Sequence, residues 1–130
     1  QWDASENAGF TTGTPWLPAN ENYHTINAAA EEKDADSVLN YYKQLIRLRK
    51  TNPVLLNGVY AELLAESEQI YAFSRTEGTR RIVTAVNFSA EEAQLPAGFL
   101  KGVRLIGSYA DAPRTALRPL EAVVYEEEVK

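Results

Sequence analysis

Gln69-Ile70-Tyr71-Ala72-Phe73-Ser74-Arg75-Thr76-Glu77-Gly78-Thr79-Arg80-Arg81-Ile82-Val83-Thr84-Ala85-Val86-Asn87-Phe88 decides the fold. Two runs rich in β-branched and aromatic residues, 69–74 and 81–88, flank the polar segment Thr76-Glu77-Gly78-Thr79, where Gly78 can take a left-handed backbone. That pattern predicts a β-hairpin. Runs of the same kind stand at 59–65, 92–95, 103–108, around 115–117 and at 122–127, broken by Pro, Gly and polar residues. Strands spaced about ten residues apart predict an antiparallel β-domain, sandwich-like or a small barrel. Alternation alone assigns the inner face of the second hairpin strand to Ile82, Val86 and Phe88 or to Val83 and Ala85. The expected core is Val38, Leu45, Ile46, Val59, Leu63, Phe73, Ile82, Val86 and Val124. Tyr60, Tyr71, Tyr109 and Tyr125 serve either as packing residues or as an exposed aromatic strip able to stack on a ligand.

Upstream the period changes. Val38, Tyr41, Tyr42, Leu45 and Leu48 recur at helical spacing and predict one long amphipathic helix. Asp34, Asp36 or Ser37 can cap its start, and Arg47, Arg49 and Lys50 suit the negative end of its dipole. Asn52-Pro53 ends it, because a residue before proline avoids the α region. Asn27 can cap a short turn over Ala28-Ala29-Ala30-Glu31-Glu32-Lys33. Residues 1–26, punctuated by Gly, Pro and Asn, read as an irregular loop expected to be poorly ordered in isolation. The fold class is therefore mainly β with one long helix.

Composition excludes several functions. The 130 residues carry a formal net charge of −5 and no basic run beyond Arg80-Arg81, which argues against nucleic acid. No apolar stretch approaches the roughly 20 residues of a membrane helix. There is no cysteine, so disulfides and thiolate metal sites are excluded and a reducing cytoplasm is the fitting compartment. The chain also has no methionine at all, and it is expected to be cut from a longer protein.

Both tryptophans lie in residues 1–16, Gln1-Trp2-Asp3-Ala4-Ser5-Glu6-Asn7-Ala8-Gly9-Phe10-Thr11-Thr12-Gly13-Thr14-Pro15-Trp16, a stretch with neither helical nor strand period. Large aromatics in a loop either bind something or anchor the loop to a core. The pieces Gln1-Trp2-Asp3, Asn7-Ala8-Gly9-Phe10-Thr11, Pro15-Trp16, Leu17-Pro18 and Asn22-Tyr23 resemble the loop after the last barrel strand in the α-amylase superfamily of glycoside hydrolases. Within that superfamily they are most similar to the α-glucosidase and oligo-1,6-glucosidase group. Residues 37–50 resemble that group's final barrel helix, and Pro53-Val54-Leu55 with Gly58 its junction into a C-terminal β-domain. The resemblance implies that 1–55 is the last loop and helix of a (β/α)8 barrel and 56–130 the C-terminal β-domain.

Retaining glycoside hydrolysis needs two carboxyl groups about 5 Å apart. The resemblance places an Asp nucleophile, a Glu acid/base and a further Asp in loops upstream of this chain, so no catalytic residue is expected within it. Glu31-Glu32, Glu91-Glu92 and Glu126-Glu127-Glu128 read as solvated faces. The lone His24 reads as a surface residue. The substrate-binding candidates are Gln1, Trp2 and Asp3, at the rim where barrel enzymes keep their sites. Gln1 and Asp3 could equally hydrogen-bond the loop's own backbone. No cofactor or metal is implied, since the calcium often held by the family lies in upstream loops. The implied partners are the barrel of the same polypeptide and, in the intact enzyme, an α-glucoside. A carbohydrate-binding β-module and a purely structural interaction domain are the competing readings.

Overall fold

The computed structural model describes residues 1–111 and 115–129. Two compact units make up the chain, Gln1–Leu48 and Arg49–Lys130. No helix among the described residues is long and apolar enough to cross a membrane.

The first unit opens with the loop. It is not a loose lead-in: a left-handed turn over Glu6–Gly9 and a 3-10 turn over Glu21–His24 punctuate it, and backbone hydrogen bonds tie its start to its end. Asn27 caps α1 (Ala28–Glu31) through its side-chain oxygen, which accepts from Ala30 N at 2.9 Å. Ser37 proves to be the cap of the long helix α2 (Val38–Thr51): its Oγ accepts from Asn40 N at 3.1 Å. The Glu31 carboxylate accepts from Leu39 N at 2.9 Å, which places negative charge at the helix start. Tyr41, Leu45 and Leu48 are half-buried, but Val38, at 72% exposed, and Tyr42 and Ile46 are not covered. Those three recur every fourth residue, so α2 shows an apolar stripe to its surroundings.

Asn52-Pro53 ends α2 as the proline rule demands, yet the same pair starts another helix. In α3 (Pro53–Asn57) Pro53 stands in the first turn, where its missing N–H costs nothing, and Asn52 Oδ1 accepts from Val54 N at 3.0 Å. The resemblance implies only a junction at this segment. Gly58 closes α3 and leads into the sheet; a Cβ there would lie 2.4 Å from the Val54 carbonyl oxygen, so no other residue fits.

Among the described residues seven strands follow: β1 (Val59–Leu63), β2 (Ile70–Glu77), β3 (Arg80–Asn87), β4 (Ala93–Gln94), β5 (Val103–Gly107), β6 (Ala116–Leu117) and β7 (Ala122–Glu128). Every pairing is antiparallel. Five strands form one sheet in the order β1-β2-β3-β7-β5, and β4 pairs with β6 in a second. The chain is thus dominated by antiparallel sheet with a few helices. The hairpin of 69–88 forms with Glu77 opposite Arg80, leaving Gly78 and Thr79 as a two-residue loop with Gly78 at φ +59°.

The core differs from the expected set. It gathers Ile70, Ala72, Val83, Ala85, Val123 and Tyr125 from one face of the large sheet with Ala93, Leu95, Leu100 and Leu117. Of the expected residues, Ile82 is fully buried, but Leu45, Leu63, Phe73, Val86 and Val124 are half-buried and Val38, Ile46 and Val59 are exposed. The cause is phase. Strand β3 is apolar on both faces, so its pattern fits either direction, and small residues such as Ala72 and Ala85 fill the tight inner side. Ile82 lies on the opposite face from Val83, in the strand pair against which α3 packs.

Candidate functional site

The first nine residues build a bracket from local bonds. Gln1 Nε2 donates to the Ile26 carbonyl at 2.5 Å, while the carbonyls of Gln1 and Trp2 accept from Ala28 N at 3.0 Å and Ala29 N at 2.9 Å. Asp3 turns inward on its own loop: its carboxylate accepts from Ser5 Oγ at 2.5 Å and Ser5 N at 2.9 Å. The Ser5 hydroxyl, then its N–H, holds the Asp3 carboxyl below the usual carboxylate range by favouring the charged form. Both polar side chains of the Gln-Trp-Asp set are thus engaged by the loop itself, the alternative role open to them from sequence.

After Asp3 the backbone takes three left-handed residues in succession, Asn7 (φ 56°), Ala8 (φ 54°) and Gly9 (φ 73°). This conformation is unfavourable for a residue with a Cβ and persists only where its surroundings enforce it. Here Ala8 is buried, its carbonyl accepts from Trp2 N at 2.9 Å, and Asn7 Nδ2 donates to the carbonyls of Thr11 at 3.1 Å and Gly13 at 3.2 Å. Gly9 sits where a Cβ would press on the Asp3 carboxylate at 3.0 Å. The outcome is a fixed turn that sets Trp2 and Phe10 edge to face, 6.3 Å between ring centres. Trp2 and Phe10 are exposed, and Trp16 is 92% exposed. None of the three rings serves as a buried anchor within the described residues.

Other sequence candidates fall into structural roles. His24 is exposed and stacks on Tyr23 at 3.9 Å. The acidic runs are less solvated than the sequence suggested. Glu126 and Glu127 lie in β7 and pair with Arg80 and Arg81 at 2.5 Å each, with Glu127 buried, because the register places those strands' charges side by side. Glu32 pairs with Lys43 at 3.2 Å. The tyrosine strip breaks up: Tyr125 is a core residue at 2% exposed, whereas Tyr60 and Tyr71 touch through their hydroxyls at 3.2 Å above Phe73. That contact pushes the Tyr60 hydroxyl up to about 12. Among the described residues, no three carboxylate or imidazole groups gather to hold a metal ion.

A polar knot escaped the sequence reading. Glu121, at 0% exposed, accepts from Arg118 N at 2.8 Å and from the Arg118 guanidinium at 3.2 Å, and that guanidinium lies 4.1 Å over the Tyr109 ring. Asn87, also 0% exposed, donates to the carbonyls of Glu91 at 2.7 Å and Arg118 at 2.9 Å and accepts from Ser89 N at 2.9 Å. Asn87 stands at the end of β3, where the strand hands over to this polar knot. Glu121 carried no signal, because a single acid before a strand reads as surface.

Residues 1–58 match the family described as "Alpha amylase, catalytic domain". The whole chain is 41% identical over 97% of its length to an oligo-1,6-glucosidase from Parageobacillus thermoglucosidasius, of which it spans 24%. To a trehalose-6-phosphate hydrolase from Bacillus subtilis it is 36% identical over 96% of its length, again spanning 24% of the relative. Among solved structures, a trehalose-6-phosphate hydrolase from Bacillus licheniformis superposes with a TM-score of 0.87 at 34% identity, covering all of this chain and 25% of the other. Isomaltulose synthase from Klebsiella sp. LX3 superposes at 0.86 with 41% identity, over 97% of this chain and 24% of the other. The chain thus spans about a quarter of the length of the relatives it matches.

Proposed function

The chain belongs to the α-amylase superfamily of glycoside hydrolases, and from that premise we propose that it is the C-terminal part of a retaining α-glucosidase acting on short α-linked glucosides. Residues 1–55 are the last loop and helix of a (β/α)8 catalytic barrel, and 56–130 its sandwich-like C-terminal β-domain. Gln1, Trp2 and Asp3 belong to the substrate rim, which in such barrels is made by loops at the C-terminal ends of the strands. The observation that carries this reading is the bracketed loop. A left-handed turn clamped from both sides presents exposed aromatic rings, as a preformed sugar-facing wall requires.

The chain supplies no catalytic carboxylate. Glu31 is committed to the start of α2, and Glu126 and Glu127 to ion pairs with Arg80 and Arg81. Its work in the intact cytoplasmic enzyme is to fasten the final helix and cover the barrel, with the stripe of Val38, Tyr42 and Ile46 as the helix face that does so. The test compares the 130-residue chain with the full-length polypeptide, both assayed on isomaltose and maltose. Glucose release with retained anomeric configuration by the long form, and none by the chain alone, is the expected result. An active chain, or an inverting long form, refutes it.

A carbohydrate-binding module finds one favourable observation, the exposed Tyr60 and Tyr71 over Phe73. Those rings are tilted by 31° and 42° to Phe73 and so offer no single flat platform. Glucan binding abolished by Tyr60→Ala and Tyr71→Ala would nevertheless establish that reading.

A further inference from the structure

Asn57 is the only asparagine of the sequence that is followed by glycine. That pair has a chemistry of its own. The nitrogen of the following peptide can attack the asparagine side-chain carbonyl carbon and close a five-membered ring. The side chain of the next residue normally obstructs this approach, and glycine has none. Here glycine is obligatory. A Cβ at Gly58 would collide with the Val54 carbonyl oxygen and come within 3.0 Å of Thr76 N. The packing of α3 beside β2 thus forces the least obstructive neighbour on Asn57.

The same packing holds the reactive peptide still. Gly58 N donates to the Val54 carbonyl at 2.9 Å, closing the end of α3, and the Gly58 carbonyl accepts from Arg75 Nη1 at 3.1 Å. Ring closure needs that nitrogen stripped of its proton and turned onto the Asn57 side chain. A proton committed to a carbonyl is harder to remove, and a nitrogen aimed at Val54 does not reach Asn57. Val54 is wholly buried, and its own N–H donates to Asn52 Oδ1 at 3.0 Å. One train of bonds therefore runs from the start of α3 through Val54 to Gly58. With only five residues, α3 opens locally at less free energy than the whole sheet demands.

We propose that Asn57 is a deamidation site gated by α3: the closed helix end suppresses the reaction and each opening permits it. In the open form the Gly58 nitrogen gives up its proton and bonds to Asn57 Cγ. The bond from Cγ to the side-chain nitrogen breaks, and that nitrogen leaves as ammonia with the proton, so a succinimide remains. Water then opens the ring at either carbonyl, yielding aspartate or isoaspartate. No electrons are exchanged and the only co-reactant is water. Isoaspartate adds a methylene to the main chain, which the bonds from Gly58 to Val54 and Arg75 cannot both absorb. The product is a one-way record of α3 opening.

Peptide mapping of the full-length polypeptide tests this after incubation in mildly alkaline buffer, folded or unfolded in guanidinium chloride. Electron-transfer fragmentation distinguishes aspartate from isoaspartate at position 57. Deamidation of Asn57 should be roughly tenfold or more slower in the folded protein than in the unfolded one. Asn52→Ala, which removes the acceptor of Val54 N, should speed the folded reaction about fivefold and leave the unfolded rate unchanged. Asn52→Ser, which keeps a capping oxygen, should return the slow rate, and circular dichroism verifies that both variants retain the sheet. Absence of product at Asn57 in the unfolded polypeptide overturns the site. Equal folded and unfolded rates overturn the gate, and that comparison needs neither variant. A folded rate indifferent to Asn52→Ala also overturns the gate, because the protection then lies outside α3.

Discussion

Glu121 shows how far a single residue can carry a structure without announcing itself. Its carboxylate is fully buried and accepts from the backbone N–H and the guanidinium of Arg118, so removing it strips that N–H of its side-chain acceptor and leaves the guanidinium to Asp111 alone. Glu121→Ala should cost about 1–3 kcal/mol, the usual loss when a buried hydrogen-bonding group is deleted and its partner left unsatisfied. Urea denaturation of the chain checks this, and a loss below about 1 kcal/mol, the scale of an exposed pair, would refute it. Asp3 acts through its charge. Its carboxyl titrates below the ordinary 3.8, so the ionised form is the one the folded loop favours. The loop's stabilisation is therefore complete above about that ordinary value and fades as pH falls through the lowered one. Ser5→Ala should return the Asp3 titration, followed by carboxyl ¹³C shifts, towards the ordinary range. The residues of the candidate site were legible as types, since a Gln-Trp-Asp set in an aperiodic, aromatic loop is conspicuous. That Gln1 and Asp3 could bond within their own loop was open from sequence, but Ile26 as the partner of Gln1 was not legible, because a hydrogen bond across 25 positions leaves no trace in spacing.

Elements were easier to read than their packing. The 69–88 hairpin and the Asn27 cap were written in local chemistry, a glycine at a turn and an amide before a helix, and both stand where that chemistry put them. Helix α3 was missed because Asn52-Pro53 carries two messages, a stop for the helix before and a start for the one after. Asn52→Ala tests the second: it should destabilise the chain by about 1 kcal/mol through loss of the cap on Val54 N. Hydrogen exchange of the α3 amides should then rise before that of β2 or β3. Equal exchange in all three would show that the cap is not what holds α3. The inward phase of β3 was beyond sequence for a different reason. Both its faces are apolar, and only the partner strands, forty residues downstream in β7, choose between them.

At the scale of the molecule, the stripe of Val38, Tyr42 and Ile46 leaves an apolar helix face uncovered. Exposed patches of this kind drive association. The isolated chain should therefore self-associate in sedimentation experiments, and Val38→Ser with Ile46→Ser should reduce that without loss of β-sheet circular dichroism. Unchanged association would place the sticky surface elsewhere. The sheet order β1-β2-β3-β7-β5 has its own consequence. The strand made late in the sequence, β7, lies between β3 and β5, so β5 has no neighbour in the large sheet until β7 arrives. During synthesis the first three strands can zip as a local meander, while β5 waits with both edges bare. Pairing across such separation is slow and leaves edges open to foreign strands. A ribosome pausing before Ala122 would thus hold a half-built sheet, and the final seven-residue strand is the closing piece on which the chain's escape from misassembly depends.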